Sequence, residues 1–148
     1  MRVLLQRVLR AGVTVDGREV ASIDRGLVLL VGVGKGDPPE QASALADKVA
    51  GLRVFEDEAG KTNLALADVA GEVLVVSQFT LYGDVRKGRR PSWSDAEEPK
   101  VAAERVEAFA DALEQRGLPV ARGVFGAHMQ VASTNDGPFT LILDADGL

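Results

Sequence analysis

Three short stretches carry side chains or backbone that could do chemistry. Ser77-Gln78-Phe79-Thr80 puts two hydroxyls and an amide at the end of the apolar run Val73–Val76. Hydroxyls at a strand end satisfy loose backbone groups; strand ends are also where α/β folds build their sites. Arg86, Lys87, Arg89 and Arg90 place four cations within five residues, with Trp93 close behind, in a chain that is acidic elsewhere. Such a run is either a solvated loop or an arm that holds an RNA backbone while the ring stacks on a terminal base. Gly137-Pro138, within Asn135-Asp136-Gly137-Pro138-Phe139-Thr140, precedes an apolar finish. Proline gives no N–H to a ladder, so it suits a strand's first residue, an edge or a bulge. The same pair also suits a rigid backbone device that fixes carbonyls for a ligand.

Other chemistry is thinly supplied. The chain has one histidine, His128, and no cysteine. Disulfides, thiolate nucleophiles and sulfur-ligated metal sites are therefore excluded, and a triad would have to be built around His128 alone. Its neighbours Gly126, Ala127 and Met129 make it a structural or surface histidine rather than a general base. Gly32-Val33-Gly34-Lys35-Gly36-Asp37 has the setting of a dinucleotide fingerprint, but Asp37 takes the third glycine's place and two prolines follow. It reads as a glycine-rich loop. Neither metal nor cofactor is expected, and an enzyme so equipped needs a substrate that is easy to attack.

The elements that position these residues can be read from periodicity. The 148 residues suffice for one domain with its own core. Asp16-Gly17 suits a tight hairpin turn, with strands near 1–9 and 12–23, and "GLVLLVGV" reads as a strand buried on both faces. Ala42, Leu45, Ala46, Val49 and Leu52 make a helical stripe over 40–52. A second buried strand spans 72–81. Pro99 starts a helix over 99–116 and Gly117 stops it. Strands near 119–125, 128–134 and 139–144 close the chain. The expected fold is a single-domain α/β protein over 1–148, with mixed, barrel-like sheet layers and two helices packed on one side, in β-β-β-α-β-α-β-β-β order. Net charge is −5 and the pI about 4.9, so any grip on nucleic acid must be local. The first residues are broken by Arg2, Arg7 and Arg10, which argues against a signal peptide or membrane span and for the cytoplasm.

Taken together, "SQFTLYGD", "RKGRRPSW", "FGAHMQV" and "NDGPFT" resemble the D-aminoacyl-tRNA deacylase family, and the likeness runs nearly end to end. It includes "MRVLLQRV", "VTVDG", "LVGVGKGD" and "LRVFEDEAGKTNL". The resemblance implies a cytoplasmic homodimer that hydrolyses the ester between a D-amino acid and the terminal adenosine of tRNA, and that also accepts glycyl-tRNA. Ser77, Gln78, Phe79 and Thr80 fall on the family's strand-end motif, with Thr80 lining the reaction centre. Gly137 and Pro138 fall on its Gly-cisPro element, which reaches into the partner subunit's site and sets chiral selection. Phe125, Gly126, Ala127 and Met129 fall on a pocket wall near the adenosine or aminoacyl group. Arg86, Lys87, Arg89 and Arg90 are the tRNA-binding candidates. Two positions are notable: Phe139 stands where the family most often has valine, and His128 falls at a variable position. Two other functions remain open to the same residues: a noncatalytic RNA-binding module using "RKGRRPSW", and a hydrolase of some other small ester.

Overall fold

The computed structural model describes residues 1–148. Eight strands form: β1 (Arg2–Val15), β2 (Arg18–Ile23), β3 (Gly26–Gly32), β4 (Phe55–Glu56), β5 (Thr62–Leu64), β6 (Glu72–Ser77), β7 (Val120–Arg122) and β8 (Gln130–Asp144). The helices are α1 (Glu40–Gly51) and α2 (Pro99–Gln115), each ending within one residue of its expected limit. Pro99 opens α2, where a missing N–H costs nothing. No helix is long and apolar enough to cross a membrane.

β1 organises the sheet. Asp16 and Gly17, both at positive φ, make the expected turn into β2, but β1 runs unbroken through Leu9 and Arg10 rather than ending there. One of its edges pairs with β3 over Arg2–Val8 and then with β2 over Ala11–Val15; the other pairs with β8. Register shifts around Val8 bend the β1–β8 pair, so its two halves serve different layers. β3, β6 and β7 extend the first layer in parallel, and β2 curls over to form a nearly closed barrel.

Two apolar clusters follow from this bend. Leu5, Leu27, Leu29, Val73 and Val75 face Leu45, Val49, Phe109 and Leu113 of the two helices. Val28, Leu74 and Val76 point the other way, into a smaller cluster with Val8, Val13 and Ile23 inside the barrel. β3 and β6 are thus apolar on both faces, which is why their sequences lack polar alternation.

Three local features depart from the sequence expectation. The β4–β5 hairpin was not foreseen; it is too short to show a period and is held by Asp57, whose Oδ1 accepts the Ala59 and Lys61 N–H groups at 2.9 Å. The last two expected strands are one strand, β8. Within it, Gln6 pairs with Thr140 and Val8 with Asn135, so one β1 residue, Arg7, faces four β8 residues and Asp136–Phe139 bulges out of the ladder. That is a place where proline's missing donor is harmless. The strand expected over 72–81 ends at Ser77, and Phe79–Tyr82 forms a 3-10 turn.

Glycines 32 and 34 make room for that turn. A Cβ on Gly32 would lie 3.0 Å from the Gln78 carbonyl oxygen, and one on Gly34 only 2.5 Å from the Tyr82 ring. The glycine-rich loop is therefore a seat for residues 78–82.

Candidate active site at the end of β6

The 3-10 turn after Ser77 shapes the site. The Gln78 N–H still bonds the Val31 carbonyl at 2.7 Å, while the Gln78 and Thr80 carbonyls accept Leu81 and Gly83 N–H groups at 3.2 and 2.9 Å. The first N–H groups of such a turn have no partner within it, which leaves those of Phe79 and Thr80 free. The Gln78 side-chain amide donates to Thr80 Oγ1.

Beside this turn lies a pocket of about 330 Å3. Ser77, Gln78 and Phe79 form one wall, Trp93 and Glu97 a second, and Phe125 with Gly126 a third. Phe79, Trp93 and Phe125 are 56%, 42% and 41% exposed, unusual for large rings in a small domain. Phe79 and Trp93 meet edge to face at 5.3 Å between centroids. Of the expected residues, Ser77, Gln78, Phe79 and Phe125 come together here. Thr80 stands next to them with an exposed side chain. Met129 stands behind the wall, its sulfur accepting the Val124 N–H at 3.4 Å. His128 is exposed.

Gly137 and Pro138 lie elsewhere. Ser77 pairs across from Val31 near one end of β3, whereas the Asp136–Phe139 bulge sits beside Arg7 and Val8, opposite Leu27 and Gly26 at the other end. Some four to five residues of strand separate them, roughly 15 Å. The Gly137–Pro138 peptide bond is cis and both residues are exposed.

Arg7 holds this bulge and is absent from the sequence-derived site. Its buried guanidinium donates to the Asp136 carbonyl at 2.9 Å and the Val54 carbonyl at 2.6 Å, and it covers the Phe139 ring at 4.7 Å. Asn135 Oδ1 accepts the Phe139 N–H at 2.7 Å. One signal was available: Arg7 occupies the inward position of the Val3, Leu5 alternation, where a charge needs a partner.

The basic segment is a loop closed by reciprocal Asp84–Ser92 backbone bonds of 2.8 and 2.9 Å. Arg86 is paired with Asp84 at 2.8 Å, and its hydrogen bonds hold that carboxyl down at about 2. Lys87, Arg89 and Arg90 are exposed and carry no ion pair.

The family model described as D-Tyr-tRNA(Tyr) deacylase matches residues 4–144. The chain belongs to this family. It is 61% identical over 145 residues to a D-aminoacyl-tRNA deacylase of Thermomicrobium roseum, covering 98% of this chain and 94% of the relative. A second, from Roseiflexus castenholzii, is 57% identical over 145 residues, with 98% and 92% covered. Among solved structures, the c-Myc DNA unwinding element binding protein superimposes with a TM-score of 0.90 at 38% identity, over 97% of this chain and 98% of that one. A probable eukaryotic D-amino acid tRNA deacylase superimposes with a TM-score of 0.84 at 18% identity, a likeness of fold, over 96% and 97%. As a member of the D-aminoacyl-tRNA deacylases the chain is a hydrolase of the aminoacyl-tRNA ester.

Behind the site of this family member, Tyr82 packs on Gly34 and donates its phenol to Asp37 Oδ2 at 3.2 Å, with the Arg2 guanidinium 4.9 Å over its ring. Burial, then the Asp37 charge, push its pKa well above the usual tyrosine value. The neutral phenol is thus favoured in the fold: its stabilisation is complete below the ordinary value of about 10 and is lost as pH rises toward the folded one. Tyr82 is the chain's one tyrosine, so its ultraviolet titration is read without interference. Tyrosinate absorbance is expected to appear only as circular dichroism reports unfolding; a tyrosinate step near pH 10 with native dichroism would contradict this account.

Proposed function

We propose that the chain hydrolyses the ester joining a D-amino acid to the terminal adenosine of tRNA, spares L-aminoacyl-tRNA, and works as a cytoplasmic homodimer. The observation that carries this reading is the aromatic pocket at the end of β6, beside a turn whose Phe79 and Thr80 N–H groups are unbonded, in a chain of this family. An aminoacyl ester is already activated, and the neighbouring ribose 2′-hydroxyl of the substrate assists attack by water, so positioning supplies most of the rate. The two N–H groups receive the developing oxyanion, a role worth about 3–4 kcal/mol per donor in other hydrolases. Thr80 orients rather than attacks: its hydroxyl accepts from the Gln78 amide, which cannot serve as a base.

Gly137 and Pro138 supply the chiral test from the partner subunit. The distance between the bulge and Ser77 within one subunit supports a site completed across a dimer. Backbone that grips the α-amino group and crowds one side of Cα rejects every L side chain, whatever its nature. Glycine has no side chain to reject, so glycyl-tRNA is a second substrate. Lys87, Arg89 and Arg90, with Arg86 beside them, hold the tRNA backbone.

The test is loss of the ester from matched D-tyrosyl-, L-tyrosyl- and glycyl-tRNA. Rapid release from the D and glycyl forms, with the L form spared, is expected. Binding without release from any would make the chain a noncatalytic RNA-binding module, and equal turnover of free D-tyrosine esters would make it a small-ester hydrolase.

A further inference from the structure

The 3-10 turn after β6 carries Phe79 and Thr80, and little within it fixes its shape. It is four residues long, Phe79–Tyr82, and none of them is buried. A turn so short and so exposed does not hold itself together. What holds it must come from outside.

Arg2 supplies such a hold. As the first residue of β1 it stands opposite Asp144 of β8 on one side and Gly32 of β3 on the other, and residues paired in this way share a face of the sheet. Asp144 anchors it: Arg2 Nε and Nη2 both donate to Asp144 Oδ2, at 3.1 and 2.8 Å. Gly32 clears its path, because Leu81 and Tyr82 settle where a side chain would stand. A Cβ on Gly32 would lie 3.1 Å from the Leu81 Cβ and 3.2 Å from the Tyr82 ring. The remaining arm of the guanidinium, Nη1, donates to the Leu81 carbonyl at 2.9 Å. One side chain thus ties the residue next to Thr80 to the end of a strand 63 positions further along the chain.

We propose that Arg2 is a positioning residue for deacylation: by holding the Leu81 carbonyl against Asp144 it fixes the turn in the shape that sets Phe79 and Thr80 for attack on the ester. This rests on the deacylase reading given above. Both of its bonds are charge-assisted, and the planar guanidinium fork serves carboxylate and carbonyl together. A lysine ammonium is a point charge that cannot span the two in that geometry. Arg2 is also a half-buried cation lining one cavity with Arg86 of the basic loop, so the rival role is a contact to an RNA phosphate. The two roles move different kinetic constants. Loss of a positioning residue lowers kcat, whereas loss of a phosphate contact raises KM and does so only when the substrate has phosphates.

The experiment assays Arg2→Met, Arg2→Lys and Asp144→Asn on D-tyrosyl-tRNA and on D-tyrosyl-adenosine, well below the melting temperature of each variant so that every molecule is folded. Arg2→Met is expected to lower kcat about 10- to 100-fold on both substrates alike, with KM changed by less than about threefold. Arg2→Lys, which keeps the charge and a donor for one of the two acceptors, should fall between it and the wild type. Asp144→Asn should lower kcat by itself and add almost nothing to Arg2→Met, since Asp144 acts on the turn only through Arg2. A kcat for Arg2→Met within about threefold of wild type overturns the inference and leaves the deacylase intact, whether or not the melting temperature falls. So does a rise in KM confined to the tRNA substrate. No turnover of D-tyrosyl-tRNA by the wild type would instead bring down the deacylase reading and this inference with it.

Discussion

Replacing Gly137 with alanine is expected to lower kcat/KM for D-tyrosyl-tRNA at least about 100-fold while lowering the melting temperature by no more than about 10 °C. Gly137 has φ +155°, and an added Cβ would lie 2.5 Å from the Phe139 nitrogen and 2.9 Å from its Cβ. Phe139 cannot yield easily: its N–H is bonded to Asn135 and its ring lies under the buried Arg7 guanidinium. The bulge itself must therefore shift, and a misplacement of about 1 Å at a reacting centre can cost 100-fold in rate. The fold tolerates the shift because Gly137 is exposed and outside both apolar clusters. Activity within threefold of wild type would show that the bulge does not reach the substrate. Mixing gives a second readout. A Gly137→Ala subunit keeps an intact β6 end, and a Phe79→Ala subunit keeps an intact bulge. If each site takes its bulge from the partner, mixed dimers regain one complete site; if bulge and pocket act within one subunit, mixing restores nothing.

The second large effect is expected from the basic loop. Replacing Lys87, Arg89 and Arg90 together with alanine should raise KM for charged tRNA about 10- to 100-fold and leave kcat unchanged. These are the loop's unpaired cations, whereas Arg86 already spends its charge on Asp84. If each contacts one phosphate of the single-stranded end, they add about 2 to the slope of log affinity against log salt, some 20-fold between 50 and 200 mM. The triple variant should lose that part of the slope. Arg86→Ala should lose much less, and D-tyrosyl-adenosine, which has no phosphate, should be cleaved equally by all of them. An unchanged salt slope would return the segment to a solvated loop.

Much of this was legible before any coordinates. Short-range patterns record short-range physics: a three- and four-residue apolar stripe for α1, Pro99 and Gly117 for the limits of α2, Asp16-Gly17 for a turn that needs positive φ. Unbroken apolar runs marked β3 and β6 as strands covered on both faces. The motifs at 77–80 and 135–140 stood out because hydroxyls at a strand end, and proline beside glycine in an apolar context, are locally conspicuous.

What local pattern could not record are contacts between distant residues. Arg7 reads as a break in alternation, and its meaning is Asp136, 129 positions away. Glu97 reads as one acid among 22, until it accepts the Gly36 N–H from 61 positions away. Gly32 and Gly34 look like a phosphate loop, until Gln78 and Tyr82 settle against them. β1 seemed to end before Arg10, because its continuity depends on edges supplied by β2 and β8 rather than on its own residues. The sequence alone determined the two helices, the first turn, the doubly covered strands β3 and β6 and where the reactive types lie along the chain, since those follow from neighbours within a few residues. Only the tertiary structure decided which walls meet, and it set the Gly137 bulge and the β6 pocket at opposite ends of one sheet, because strand pairing places residues by register and not by their order in the chain.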